Sequence, residues 1–154
     1  MSMLNRFRKP GGFHQLLALI EGCEPEKQKN LLSLIGNEDP GWAHLVKLKA
    51  LSFERIMKWP IEILMEISPH VPEKIQIAAL CKMTDPSKEK WFKSIIGLKQ
   101  KEIRQSCTEA QPLPSEQQAA TIKIVQIVRE LEEKGLIKLS QIDPSLQLDK
   151  RLAA

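Results

Sequence analysis

Proline placement constrains this chain more than any other feature. Of its ten prolines, Pro25, Pro40, Pro60, Pro72, Pro86 and Pro114 each stand at the head of a segment whose apolar residues recur at helical spacing. Proline suits the first helical position, because the N–H it lacks would find no intrahelical partner there. Asp39 and Asp85 precede two of these prolines and are expected to cap the first turn with a side-chain oxygen. Gly22, Gly36, Gly97 and Gly135 follow apolar stretches, where a left-handed stop is cheapest for a residue without Cβ.

Between these marks Phe13, Leu16, Leu17 and Ile20 fall at i, i+3, i+4 and i+7. Leu31, Leu32 and Ile35 repeat the pattern, and Trp42, Leu45 and Val46 begin a third helix. Further helices are expected over residues 53–58, 60–67, 72–82, 86–96 and 98–109. The longest covers 115–134, with Ser115 and Gln118 as a capping-box pair and Ala120, Ile124, Ile127 and Leu131 on one stripe. Only residues 136–139 read as a short extended piece, and hairpin turn signals are absent. The fold class is therefore all-α. Short helices joined by proline-marked turns suit an armadillo-like right-handed superhelix better than a four-helix bundle. Residues 110–114 (AQPLP) are expected to act as a linker before the last long helix.

Composition narrows the function classes. A length of 154 residues fits one domain or one compact helical array. With 42% apolar residues the chain is too rich in core formers for disorder. Three widely spaced cysteines, Cys23, Cys81 and Cys107, fit free thiols in the cytoplasm rather than a disulfide scaffold. No apolar run reaches membrane-spanning length. Residues 1–10 carry Arg6, Arg8 and Lys9 with no apolar core behind them, so they read as a flexible basic leader and not as a secretory signal.

Catalytic signatures are missing. The Gly11-Gly12 pair has no phosphate-loop lysine after it, so no cofactor is expected. His14, His44 and His70 lack metal-ligand spacing, so no metal is expected. Cys81 and Cys107 read as small core residues, and the pair Glu132 and Glu133 lies on a solvated helix face. The expectation is a protein that is not an enzyme and has no small-molecule substrate. Trp42, Trp59 and Trp91 with Phe53 and Phe92 admit a base-stacking reading. Packing against the first turns of helices accounts better for Trp42 and Trp91, and no nucleic-acid partner is expected. A net charge of +4 is too small to argue otherwise. Residues 88–104 are mostly basic: Lys88, Lys90, Lys93, Lys99, Lys101 and Arg104, with Glu89 and Glu102. They form either a solvated face or an electrostatic contact surface for an acidic partner.

Several separated motifs, in order, resemble one family. They are Gly11-Gly12 with the helix after it (GGFHQLLALIEGCEP), Glu38-Asp39-Pro40, and Ala50-Leu51-Ser52-Phe53-Glu54. Ala79-Leu80-Cys81-Lys82 follows, then Lys88-Glu89-Lys90, and finally the stretch IVRELEEKG at residues 127–135. This set resembles the middle and C-terminal part of the flagellar motor-switch protein FliG, over about residues 11–139, in a short form without that family's N-terminal domain. The resemblance implies an armadillo-like segment over 11–50 and a C-terminal helical domain over 51–140, with 141–154 as a tail that frays. It implies a rotor or switch component that transmits stator force and contributes to direction control. The alternative is a truncated FliG-like interaction or regulatory module outside the torque ring. Implied partners are other rotor and switch proteins, the cytoplasmic region of the stator, and further copies of the chain. The implied place is the cytoplasm, at the flagellar basal body on the inner face of the membrane.

Residue by residue, the resemblance makes Ala50, Leu51, Ser52, Phe53 and Glu54 a hinge. The expected partner-contact residues are Lys88, Lys90, Lys93, Lys99, Lys101, Glu102 and Arg104. The apolar face of Phe13, Leu16, Leu17, Ile20, Leu32 and Ile35 is expected to stack on a neighbouring subunit. The sequence also departs from the family pattern. The family's Ala-Leu-Lys-Gly lysine is Cys81 here, and one of two hinge phenylalanines survives, as Phe53. The charged positions of the family's torque helix fall near Leu98 and at Gln105 and Ser106. Lys99, Lys101, Glu102 and Arg104 are the nearby charges left to stand in for them.

Overall fold

A computed structural model describes residues 2–147. Among these residues the regular structure is helical, with no strand. Ten α-helices run in order: α1 Gly12–Glu21, α2 Pro25–Glu38, α3 Pro40–Lys49, α4 Phe53–Met57, α5 Ile61–Ile67, α6 Glu73–Leu80, α7 Asp85–Ser94, α8 Leu98–Glu109, α9 Pro114–Glu133 and α10 Leu139–Ile142. None of them is long and apolar enough to cross a membrane. The chain divides into two compact units, Met1–Leu51 together with Gly135–Ala154, and Ser52–Lys134.

In the first unit, α2 opens on Pro25 and α3 on Pro40, as their missing N–H groups favour. Asp39 caps α3 by accepting from the Trp42 N–H at 3.1 Å. The apolar stripe of α1 (Phe13, Leu16, Leu17, Ile20) meets Ile35 of α2 and Ala43 and Val46 of α3 in one core. Gly36 does not end α2. It lies inside the helix, facing Ala43 of α3, where an added Cβ would meet the Ala43 Cβ at 3.7 Å, an ordinary contact.

Residues 2–10 are not a flexible leader. Leu4 and Phe7, on a 3-10 turn, are buried in the same core. Glu38 fixes this turn by accepting from Ser2 Oγ (2.6 Å), Met3 N (2.6 Å) and Leu4 N (3.1 Å). These bonds, Ser2 first, hold its carboxyl below the ordinary carboxylate range. Gly12 is required where the turn meets α1, because a Cβ there would collide with the Phe7 carbonyl.

The C-terminal segment joins the first unit. After Gly135, whose φ of 75° places it in the left-handed region, Ile137, Leu139 and Leu146 are buried. Lys49 Nζ donates to the carbonyls of Ser145 (2.7 Å) and Gln147 (2.8 Å). The helical domain expected to reach residue 140 therefore gives way at Gly135 to chain that completes the first unit. Of the expected fraying tail, 141–147 carries the end of α10 and a further 3-10 turn, Pro144–Leu146, while 148–154 lies outside the described residues.

In the second unit, α9 carries the expected stripe, with Ala120, Ile124, Ile127 and Leu131 all buried, and packs on α6. Helix α5 packs on α7. At its centre Trp91 is fully buried, and its Nε1 donates to Gln76 Oε1 at 2.9 Å. Gln76 Nε2 donates in turn to the carbonyls of Ser68 and Val71, and Ser68 Oγ donates to the Ser94 carbonyl. Trp91 lies in the second turn of α7, not the first, so its ring fills the core rather than closing the helix start.

Two expected caps and one expected linker are placed differently. Asp85 is the first residue of α7, after Thr84, and makes no capping bond. At α9 the pair is not Ser115 and Gln118: the helix begins one residue earlier, and Glu116 Oε2 accepts from Leu113 N at 3.2 Å. Residues 110–114 do not separate α9 from the helices before it, since α4 to α9 belong to one unit.

Candidate interaction surface

The basic stretch folds as α7, a turn, and α8, and each helix buries little. Trp91, Phe92 and Ser94 anchor α7, whereas Ile103 is the one fully buried residue of α8. Of the rest of α8, Gln100, Arg104, Ser106 and Cys107 are half-buried and the others are exposed. Arg104 folds back over α7: its guanidinium sits 4.4 Å from the Phe92 ring centroid and grips Glu89 with bonds of 2.6 and 3.0 Å. A planar fork on a carboxylate, stacked on an aromatic face, is an arrangement lysine does not reproduce. The bond from Arg104 holds the Glu89 carboxyl below its usual range.

The seven expected contact residues divide. Arg104 is engaged by Glu89, Lys99 Nζ pairs with Glu73 at 3.0 Å, and Lys90 Nζ donates to the Met57 carbonyl at 2.8 Å. The pair with Glu73 raises the Lys99 pKa. Lys93, Lys101 and Glu102 are exposed, and Lys88 is half-buried. What the surface presents to a partner is thus fewer cations than the sequence suggested, since three of them tie the second unit together.

The sequence reading missed two side chains at the α7–α8 turn. Ile96 is 72% exposed and Leu98 81% exposed. The signal was present: Leu98 shares a helical face with Lys101, Glu102 and Gln105, at i+3, i+4 and i+7, which is the polar face of α8.

Of the expected hinge, Ala50 is half-buried and Leu51 is buried, with its N–H donating to Glu21 Oε2 at 2.6 Å. Ser52 caps α4 by accepting from Arg55 N, Phe53 is buried, and Glu54 is exposed. The boundary of the two units falls between Leu51 and Ser52. The expected stacking face is placed differently. Phe13, Leu16, Leu17, Ile20 and Ile35 fill the core of the first unit and Leu32 is half-buried against it. The five core residues are therefore closed to a neighbour, and Leu19, Leu34 and Leu48 are exposed instead.

His14, His44 and His70 are exposed, and no group of three or more metal-ligating side chains occurs among the described residues. Cys81 and Cys107 are half-buried rather than core residues. Burial, with a smaller contribution from Cys81, pushes the Cys107 thiol up to about 11.

Comparison with known proteins gives this surface a setting. Among solved structures, FliG residues 86–343 from H. pylori match with a TM-score of 0.62 and 22% identity, covering 84% of this chain and 62% of that one. FliG residues 116–343 from H. pylori match at 0.56 and 22%, covering 84% and 58%. Full-length FliG from Aquifex aeolicus matches at 0.53 and 24%, covering 82% and 40%. The chain thus spans less than two thirds of the length of each. No curated protein matches by sequence. The model of the FliG C-terminal domain matches residues 33–139, more than half of the chain and all of α7 and α8. The chain belongs to the FliG C-terminal domain family.

Proposed function

We propose that this chain works as a rotor or switch component of the flagellar motor, with the α7–α8 face as its contact surface. The observation that carries this reading is the family match over residues 33–139, which contains the whole of that face. Lys93 and Lys101, with Lys88 beside them, are the cations that meet an acidic partner. Arg104 and Lys99 act as struts that fix the face. The partners are other switch proteins and the cytoplasmic region of the stator, at the basal body on the inner face of the membrane. Residues 50–54 serve as the hinge for direction control, at the boundary of the two units. Self-association runs through exposed leucines such as Leu19 and Leu34 rather than through the closed core of the first unit.

A second reading, an interaction or regulatory module outside the torque ring, is favoured by one observation: Arg104 and Lys99 are already paired within the chain. One experiment separates the two. Deleting the gene should abolish or impair swimming, and complementation with Lys93→Glu and Lys101→Glu together should restore the protein but not full motility. Normal swimming of the deletion strain would count against the rotor reading. Full rescue by the double variant would remove the lysines from it.

A further inference from the structure

Helices α6 and α8 pack on each other and meet at both ends. Lys99 Nζ pairs with Glu73 at 3.0 Å, which joins the opening turn of one helix to the opening turn of the other. At the far end, Cys81 follows α6 directly and keeps helical dihedrals (φ −62°, ψ −21°), while Cys107 lies in the closing turn of α8. The two thiols are near enough for the charge of one to act on the other. The helices therefore run parallel.

Their registers match. Glu73 to Cys81 and Lys99 to Cys107 are equal steps of eight residues, or about 12 Å of rise. Glu73, Ile77 and Cys81 fall at i, i+4 and i+8, and so do Lys99, Ile103 and Cys107. Each set is one ridge of the kind along which helices pack. The ion pair at one end of the ridges thus sets the two cysteines level at the other. Packed helix axes about 8–10 Å apart bring facing Cα atoms within the ~4.4–6.8 Å that a disulfide spans. Both thiols are half-buried, neither sealed in the core nor free on the surface. Cys81 Sγ donates to the Ile77 carbonyl at 3.4 Å, a weak bond that rotation about χ1 gives up.

We propose that Cys81 and Cys107 are a reversible oxidation site, which a small-molecule disulfide of the glutathione type converts to a bridge between the ends of α6 and α8. The Cys81 thiolate attacks one sulfur of the oxidant, whose S–S bond breaks and releases one glutathione thiolate. Cys107 then gives up its proton and attacks Cys81 Sγ, which expels the second glutathione. Two protein thiols are oxidised, and one disulfide is reduced to two glutathione thiols. Burial holds the Cys107 thiol up at about 11, so the closing step is slow near neutral pH and brief oxidation leaves the pair open. Ile103 is the one fully buried residue of α8. The bridge gives that helix, which carries Lys101 and Glu102, a second fixed point. This inference does not rest on the rotor reading.

The test uses the full chain in a Cys23→Ser background, equilibrated with reduced and oxidised glutathione. Peptide mapping by mass spectrometry is expected to find Cys81 joined to Cys107 in monomeric protein, and dithiothreitol to part them. The equilibrium constant for bridging should be at least about tenfold higher in the native chain than in urea, because only the fold holds the thiols together. Once bridged, residues 104–109 should exchange their amide hydrogens about tenfold more slowly. Cys107→Ser should leave Cys81 as a mixed disulfide with glutathione, and the melting temperature of the reduced protein unchanged. Mixed disulfides on both cysteines without a bridge, bridging only between two chains, or equal constants in native and urea-unfolded protein would each overturn the proposal. So would unchanged exchange at the end of α8 after bridging.

Discussion

Glu38 shows how one residue converts an apparent leader into part of a core. Its carboxylate collects three donors from the 3-10 turn, and Leu4 and Phe7 can then stay buried. Nothing in the local sequence announces this, because the bonds join residues more than thirty positions apart. Its neighbour Asp39 does the same with Arg8 at 2.9 Å, beneath a guanidinium 4.9 Å from the Trp42 ring centroid. Both carboxyls sit below their ordinary pKa values of 4.5 and 3.8, the first chiefly through Ser2 and the second chiefly through Arg8. A carboxyl lowered on folding stabilises the folded state above its unfolded pKa. That contribution is lost as the pH falls through the folded value. Glu38→Gln should therefore melt lower than wild type at about pH 6, and the difference should close in acid as the pH falls through the folded value of Glu38 and its side chain becomes neutral. Thermal midpoints across that range decide it, and a gap that persists unchanged in acid would show that geometry rather than charge fixes the turn.

At the level of elements, the helices themselves were legible and their coverings were not. Proline and periodicity located α1 to α9 to within a few residues, because a proline at a helix start and a 3.6-residue stripe are local properties. That proline is first in the helix in α2, α3 and α9, and stands just before it, as Pro60 and Pro72, in α5 and α6. Periodicity names an apolar face without naming what lies against it. That is why the α1 face, read as a stacking surface, turned out to be closed by Ile35, Ala43 and Val46. It is also why Gly36, which resembles a stop, lies inside α2, facing α3. The polar network under α7 belongs to the same class of hidden information. Gln76 reads as a surface residue on α6, yet its amide links Trp91 to the Ser68 and Val71 carbonyls. Trp91→Phe removes the indole donor, leaves the Gln76 oxygen buried without a partner, and opens space in the core. The expected loss is about 2–4 kcal/mol, the sum of an unsatisfied acceptor and a small cavity. Urea denaturation of the full chain measures it; a loss below about 1 kcal/mol would mean that the network contributes little beyond packing.

For the molecule as a whole, the consequential fact is that its first unit is assembled from both ends of the described chain. Residues 2–51 supply three helices and a 3-10 turn, and the segment from Gly135 returns to them, its last 3-10 turn packing on α3. From the sequence the helix ending IVRELEEKG looks like the close of the C-terminal domain, and so it is for the second unit, which stops at Lys134. The stretch beyond Gly135 is too short and too weakly periodic to declare a destination. Lys49 reveals it by donating to the carbonyls of Ser145 and Gln147, and the last 3-10 turn by packing on α3, in a segment where Ile137, Leu139 and Leu146 are buried. Full burial of an aliphatic side chain is worth ~1.5–3 kcal/mol. Three of them approach the ~5–15 kcal/mol that holds an ordinary domain folded. Truncation after Lys134 should therefore loosen the first unit selectively. Hydrogen exchange should rise through α1, α2 and α3 while α6 and α9, whose core lies within 52–134, keep their protection. If α1 to α3 exchange as slowly in the truncated chain as in the intact one, the returning segment covers the unit without stabilising it.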